Sequence, residues 1–430
     1  MSDWKTIDYF SDESLVEDPY PYLEELRAQC PVLSLPHLGV VAVTGYDEAN
    51  EVYRNTDDFS SCNSVVGPFA PFPVPLVGVG DDVSELVEKY RDQMPMFEHM
   101  VTMDPPDHDH ERALLMRLIT PKRLKENEAF MWRLADHQLD ELLPAGRCEF
   151  ITAYAQPFAM LAVADLLGVP ETEHQRFREG FGMSKGAGVV GAGNQHGDQL
   201  NPLAWLDGYF SDYITDRRRE PRKDVLTDLA LATYPDGATP DVASVVRTAT
   251  FLFAAGQETT ARLLAATLKH LAEHPELQDE LREHKDKIPN FIEEALRMES
   301  PVKTDFRLTK RSTTVAGVDI AAGTPVMLLN GAANRDPRRF ECPAEFRLDR
   351  ENAQSHIAFG RGVHSCPGGP LARAEGRISI ERILDRTRNI RLSEEHHGPP
   401  GHRHLPYEPT WILRGLTNLH LEFDAAEAPK

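Results

Sequence analysis

Nothing in the chain restricts its fold as tightly as the stretch Phe359-Gly-Arg-Gly362-Val-His364-Ser-Cys366-Pro-Gly368. Glycine admits backbone angles other residues avoid, and proline has no amide to donate, so this run forms neither helix nor strand but a shaped loop. A helix is expected to start at Pro370 and run on through Leu371, Ala372, Arg373, Ala374 and Glu375, which leaves Cys366 beside a helix N-terminus. Unpaired N–H groups and the positive end of the helix dipole favour a thiolate there. Gly362 and Gly368 let backbone approach something large and flat, and His364 and Arg361 offer donors beside it.

A thiolate presented by a tight loop to a flat anionic cofactor is how a protein makes an axial sulfur ligand for haem iron. Two plainer readings use the same residues. One is a buried cysteine in a glycine-rich turn; the other is a zinc site of His356, His364 and Cys366, although no C-x-x-C pair accompanies it. The loop resembles the haem-binding signature of the cytochrome P-450 family, F-x-x-G-x-[HR]-x-C-x-G, matched by Phe359, Gly362, His364, Cys366 and Gly368. The resemblance implies Cys366 as the iron ligand of haem b, with Phe359, Gly360, His364 and Gly368 against the cofactor. Pro367 departs from the pattern where a larger aliphatic is common, and it removes an amide that could bond towards sulfur.

A net charge of -22 argues against nucleic acid and against an acidic membrane surface. The cysteines, Cys30, Cys62, Cys148, Cys342 and Cys366, are odd in number and widely spread, so no disulfide framework is expected and a reducing cytoplasm fits best. The polar, acidic N-terminus contains neither a signal peptide nor a membrane anchor by its pattern. At 430 residues, one large domain or two can be built.

Met103-Asp-Pro-Pro-Asp-His108-Asp-His-Glu-Arg112 starts a helix at Pro105 and Pro106, and places His108 and Arg112 one turn apart. Two cationic donors on one face suit a pair of carboxylates; a solvated charged face has the same spacing. The family carries H-x-x-x-R here for the haem propionates, and Arg307 sits where it places another propionate-binding arginine.

Asp241–Glu273 reads as one helix, about 50 Å long at 1.5 Å per residue. Its centre is Ala255-Gly256-Gln257-Glu258-Thr259-Thr260. A mid-helix glycine costs about 1 kcal/mol relative to alanine. Thr259 can bond back to the Ala255 carbonyl, bending the helix and opening it to water. An ordinary core helix with two incidental threonines is the alternative. The block resembles the family's [AG]-G-x-[DE]-T, which implies Ala255 and Gly256 beside the haem and Glu258 and Thr259 as the groups that deliver protons. Glu258 replaces the commoner aspartate.

Glu294-Ala-Leu-Arg297 is a surface salt bridge by spacing alone. By resemblance it is the family's buried E-x-x-R pair, completed by Arg350. Gly186-Ala-Gly188-Val-Val-Gly191 matches the dinucleotide pattern G-x-G-x-x-G, but a helical segment (173–179) precedes it instead of a strand, and a hinge in a lid fits better. Residues 61–104 read as a long loop, apart from a helix over Val83–Gln93, too apolar for disorder. By resemblance this segment lines the substrate pocket, with Phe72, Leu76, Met96, Phe253, Thr304 and Trp411 expected around it. Helices are further expected over 121–143, 151–167 and 371–387, and strands over 32–35, 39–44, 301–314 and 404–422.

These signatures run in the family's order over about residues 15–424. The implied fold is mainly α: a single domain over 1–430 with tails at 1–14 and 425–430, and a smaller β-rich region from the N-terminal strands and the segments near 302–330 and 404–424. The implied reaction inserts one atom of dioxygen into an apolar small molecule. Electrons are expected from a separate ferredoxin and its reductase, drawing on NADH or NADPH and docking near Arg117, Lys122, Arg123 and Arg361. A haem protein that binds a ligand or gas without turnover is the alternative, against which the Glu258–Thr259 pair speaks. A peroxide-using variant typically lacks that pair.

Overall fold

The computed structural model describes residues 4–175 and 203–426. The longer elements begin with α1 (Tyr20–Gln29), β1 (Val32–Leu35), β2 (Val40–Val43), α2 (Tyr46–Arg54) and β3 (Phe59–Ser60). After an irregular stretch come α3 (Asp107–Leu118), α4 (Pro121–Leu142), β4 (Arg147–Glu149) and α5 (Gln156–Leu167). Then follow α6 (Ala204–Arg219), α7 (Val242–Glu273), α8 (Pro275–Glu283) and α9 (Ile288–Glu299). Four strands succeed them: β5 (Asp305–Thr309), β6 (Thr313–Val315), β7 (Val318–Ile320) and β8 (Pro325–Leu328). The chain ends on α10 (Gly369–Arg386), β9 (Thr387–Leu392) and β10 (His420–Ala425).

The organising element is α7, 32 residues long. It starts where Asp241 accepts a hydrogen bond from the Ser244 amide at 2.6 Å, the cap that satisfies an orphan N–H of the first turn. It packs on α5, α6 and α10, and its buried side carries Val245, Ala249, Phe253, Leu264 and Leu268 into the largest apolar cluster. One stripe stays open. Arg247, Phe251, Ala255 and Thr259 recur every fourth residue and, with Ala254 and Glu258, are half-buried or exposed in the middle of an otherwise buried helix.

The largest sheet has the order β1-β2-β8-β5-β3, with β2 and β8 parallel (Val41 opposite Val326) and β5 antiparallel to β8 (Asp305 opposite Leu328). A second sheet orders β4-β10-β9, and β6 and β7 form a hairpin.

Several boundaries differ from the sequence expectation for identifiable reasons. The helix expected over 83–93 is only Ser84–Lys89 followed by a tight turn. The stretch from Ile151 starts as a wide helical turn, because Pro157 cannot donate the regular i to i−4 bond. Strands expected over 404–422 reduce to the isolated bridges Tyr407–Leu416 and Val302–Leu413, since Pro406, Pro409 and Gly415 interrupt any ladder. The strand that does form, β10, joins β4 and β9 in the second sheet and not the N-terminal sheet. The first described residues are no loose tail: Tyr9 is buried and its hydroxyl meets Thr304 Oγ1 at 2.5 Å. At the other end, Ala425 belongs to β10. The glycine-rich segment at 186–191 lies outside the described residues.

Candidate active site around Cys366

The loop from Ile357 to Gly369 is closed by the Cys366 amide donating to the Phe359 carbonyl at 2.8 Å. Gly362 turns at φ +70°, and a Cβ there would fall 2.4 Å from the Tyr53 carbonyl oxygen, so only glycine fits. Arg373 stacks on Phe359 (4.8 Å) and bonds Glu293 through Nε at 2.5 Å; His356 Nε2 bonds the same carboxylate at 3.2 Å. The loop is thereby tied to α9 as well as to α10. His356 faces Glu293 and His364 faces the His108 ring at 4.2 Å, which separates the residues of the zinc reading; among the described residues no cluster of metal-ligating side chains exists.

Cys366 is exposed at the start of α10. Its thiol sits among protein atoms that push it up from its ordinary range by desolvation. The amides of Gly368 and Gly369 and the charges of Arg112 and Arg373 pull the other way. The amides of Gly368 and Gly369 favour the thiolate, as the helix N-terminus implied, and a bound cation at sulfur would add to them.

His108 and Arg112 both reach this site from α3. His108 Nδ1 donates to Asp109 at 2.9 Å, and among the described residues its buried Nε2 has no partner, nor has the buried Nη1 of Arg112. Burial lowers the pKa of His108 and, with Arg307 and His108 nearby, depresses that of His364 well below its usual range. These rings are not the standing cations the sequence suggested; an anion at His108 Nε2 would restore its charge. Arg307 lies across Tyr53 (5.2 Å) and donates to Asp305 at 3.0 Å. One orphaned donor on Arg112, and a His108 Nε2 that becomes a donor once the ring is protonated, lie close to His364 and Arg307 and are the environment a pair of buried carboxylates requires. An accessible thiol, glycines close to it and an anion-seeking rim fit a haem group.

On α7, Thr259 Oγ1 donates to the Ala255 carbonyl at 2.9 Å, as its spacing implied. Desolvation raises the pKa of Glu258 against the pull of Arg262, and Glu408 adds to the rise. Arg262, buried one turn along, and Glu408, from the irregular segment after β9, went unnoticed in the sequence. The i, i+4 spacing of Glu258 and Arg262 was a legible signal; nothing flagged Glu408. Glu375 on α10 was also missed: it accepts from Thr260 at 3.0 Å, and full burial raises its pKa well above the carboxylate range.

Glu294, Arg297 and Arg350 come together in the core. Arg297 bonds Glu294 through Nε (2.7 Å) and Nη2 (2.8 Å), and Arg350 Nε adds a third bond at 2.9 Å. Both guanidinium groups also cap carbonyls of 334–345, among them Asn334, Pro343, Glu341 and Cys342, so the triad pins the connection that leads into the cysteine loop.

The six expected pocket residues do not form one wall. Phe72 and Leu76 pack in a small cluster with Val83, Val87 and Leu308; Trp411 packs with Phe10, Phe69 and Phe306; Thr304 is spent on Tyr9. Met96 and Phe253 belong to the main core, Phe253 fully buried against Phe210. Apolar character alone cannot tell a pocket lining from a core, which is why these were misgrouped. Of the cations expected at a docking face, Lys122 and Arg123 pair with Glu126, and Arg361 bonds the Ser355 and His356 carbonyls.

Residues 200–397 match the sequence profile of the family described as Cytochrome P450. Cytochrome P450 144 of Mycobacterium tuberculosis is 34% identical over 397 residues, covering 90% of this chain and 86% of that protein. The substrate-free structure of Mycobacterium marinum cytochrome P450 CYP150A6 superposes with a TM-score of 0.92 at 60% identity, over 99% of this chain and all of that one (100%). CYP109E1 from Bacillus megaterium, solved in complex with corticosterone, gives a TM-score of 0.77 at 27% identity over 95% and 99% of the two chains.

Proposed function

Since the chain belongs to the cytochrome P450 family and is a haem monooxygenase, we propose that it hydroxylates or epoxidises an apolar small molecule with electrons from a separate ferredoxin and reductase. The observation that carries this reading is the pairing of an accessible Cys366 with the open stripe of α7, one presenting sulfur and the other a mostly apolar surface ending at Glu258 and Thr259. The cofactor is haem b. Cys366 would bind its iron through sulfur; His108, Arg112, Arg307 and His364 would take its carboxylates, and Ala255, Gly256, Phe359, Gly360 and Gly368 would pack against it. Bound there, haem supplies dioxygen activation, which thiolate ligation promotes by favouring O–O cleavage.

The protein's own groups do the rest. Phe251, Ala254 and Ala255 offer apolar surface that excludes water and holds a lipophilic substrate beside the reacting centre. The Thr259 hydroxyl donates its proton to the Ala255 carbonyl, which leaves its oxygen lone pairs to hold a proton-bearing water beside the reacting centre. Glu258, its pKa raised by burial against the pull of its partner Arg262, exchanges protons with solvent. The corticosterone complex of a relative supports a substrate of terpenoid or steroid size. No helix among the described residues is long and apolar enough to cross a membrane.

The test is NADH or NADPH consumption with a ferredoxin and reductase, against product formation from a lipophile that shifts the haem spectrum. Consumption coupled to oxygenated product is expected. Ligand binding with no turnover under any donor would favour a gas- or ligand-binding role instead.

A further inference from the structure

Between β9 and β10 the chain leaves the second sheet on an excursion over 398–419 and returns to it at His420. A single helical turn, Glu394–His397, precedes the departure. His397 is 1% exposed, and its ring is fastened on both sides. Nδ1 meets the His404 carbonyl at 3.1 Å, and the His420 amide donates to Nε2 at 2.8 Å. A carbonyl only accepts and an amide only donates, so the ring is neutral with its proton on Nδ1. The backbone follows the same path. The His404 amide donates to the His397 carbonyl at 2.8 Å, and the Ser393 amide to the His420 carbonyl at 3.0 Å. Both ends of the excursion therefore close on one imidazole.

What this neck holds reaches the candidate site. The excursion presents Glu408 to Arg262 of α7, and its Ile412 carbonyl accepts from the Lys303 and Thr304 amides at 2.9 and 3.2 Å. The groups around the neck oppose a charge on His397. His420 stacks on His396 with ring centres 3.8 Å apart, and Arg403 bonds the Gly398 carbonyl. The carboxylates of the adjoining elements are turned to other work. Glu149 of β4 accepts from the amides of Ile151, Thr152 and Leu419, and Glu422 of β10 pairs with Arg391 of β9 at 3.1 Å. Glu394, Glu395, His402 and His404 are exposed. None of these carboxylates bonds the His397 ring, whose two nitrogens are both taken.

We propose that His397 is a pH-sensitive clasp: the neutral ring holds the neck of the excursion shut, and a proton taken up at Nε2 confronts the His420 amide, breaks that bond and loosens residues 398–419. Burial lowers the pKa of His397, against the bond to His404, and His420, His396 and Arg403 lower it further. The folded-state value thus lies below the ordinary 6.5. The stabilisation is complete above 6.5 and is lost as pH falls from there towards the folded value.

The experiment follows amide hydrogen exchange of the holoenzyme from neutral to mildly acidic pH, with each rate divided by its intrinsic chemical rate. A proton bound by the open neck and not by the closed one should raise the opening of 405–420 by up to about tenfold per pH unit below 6.5, while peptides of α7 stay protected. His397→Gln offers one donor and one acceptor and does not titrate, so it should keep the excursion closed throughout. His397→Phe should leave it open at both ends of the range, and His396→Gln and His420→Gln should keep the acid opening. Nitrogen-15 histidine spectra, with His397 assigned by its loss in His397→Gln, should show the Nδ1–H tautomer at neutral pH and a charged ring once the excursion opens. Protection that does not change with pH in the parent, or an acid opening that survives in His397→Gln, overturns the proposal. So does an Nε2–H tautomer at neutral pH.

Discussion

Glu258 and Arg262 stand one helical turn apart on α7 and are joined twice: Arg262 Nη2 meets Glu258 Oε1 at 2.8 Å, and Nη1 donates to the Glu258 carbonyl at 3.3 Å. The same Nη2 bonds Glu408, which is partly exposed. Gly415 makes room for this arginine, since a Cβ there would lie 2.5 Å from Arg262 Cγ. One guanidinium is therefore shared between two partly exposed carboxylates, Glu258 on α7 and Glu408 from the irregular segment after β9.

The sharing has a titration consequence. Arg262 opposes the upward shift of Glu258 and Glu408 adds to it. Arg262→Leu should move the acid-side inflection of the pH–rate profile to higher pH, and Glu408→Gln should move it lower. A purely structural role would reduce activity in both variants without moving the inflection in opposite directions.

Thr259→Ala should leave the substrate-induced spectral shift near the parent value. More of the NADH electrons should appear as hydrogen peroxide and fewer as product. Glu258→Gln should slow turnover by about 10²–10⁴-fold, the usual weight of general acid–base groups. The product-to-NADH ratio, measured with haem content matched, checks both.

Cys366→His should abolish the red-shifted Soret band of the reduced carbon monoxide complex that marks thiolate ligation. Cys62→Ala and Cys342→Ala should keep it. Retention of the thiolate band in Cys366→Ala would remove the central assignment.

Acid should loosen the cysteine loop through Glu293. Burial pushes this carboxyl up, but bonds to His356 and Arg373 together hold it down to about 2, against an ordinary 4.5. Its folded-state pKa is depressed, so its stabilisation is complete above the ordinary value and is lost as pH falls towards 2. The shift corresponds to about 3 kcal/mol. Urea unfolding at pH 7 should show a loss of that order in Glu293→Gln, shrinking when both proteins are compared near pH 3.

Arg297→Ala removes one member of a triad with no access to solvent. It leaves Glu294 with fewer compensating bonds at full burial, at a cost of about 3–5 kcal/mol. Loss of haem incorporation together with a lowered unfolding midpoint, and no change in the haem spectrum of the fraction that stays loaded, is the expected pattern.

Local chemistry was legible in the sequence wherever backbone constraints and short spacings carry it. The glycines around Cys366, the i, i+4 pair His108–Arg112, the Thr259 back-bond and the length of α7 all follow from φ preferences and a 3.6-residue period, which act within a few residues. What the tertiary structure alone decided is pairing across long separations and the sign of charge in the interior. Arg262 meets Glu408, Glu293 meets Arg373, and β10 chooses β4 and β9, because chain paths bring these segments together and no local pattern encodes that. Burial likewise made His108 and His364 weaker bases, through desolvation that a residue's neighbours in sequence do not determine. Apolar residues were the least legible: Phe72, Trp411 and Phe253 have the same chemistry, and only the packing assigned them to three separate clusters.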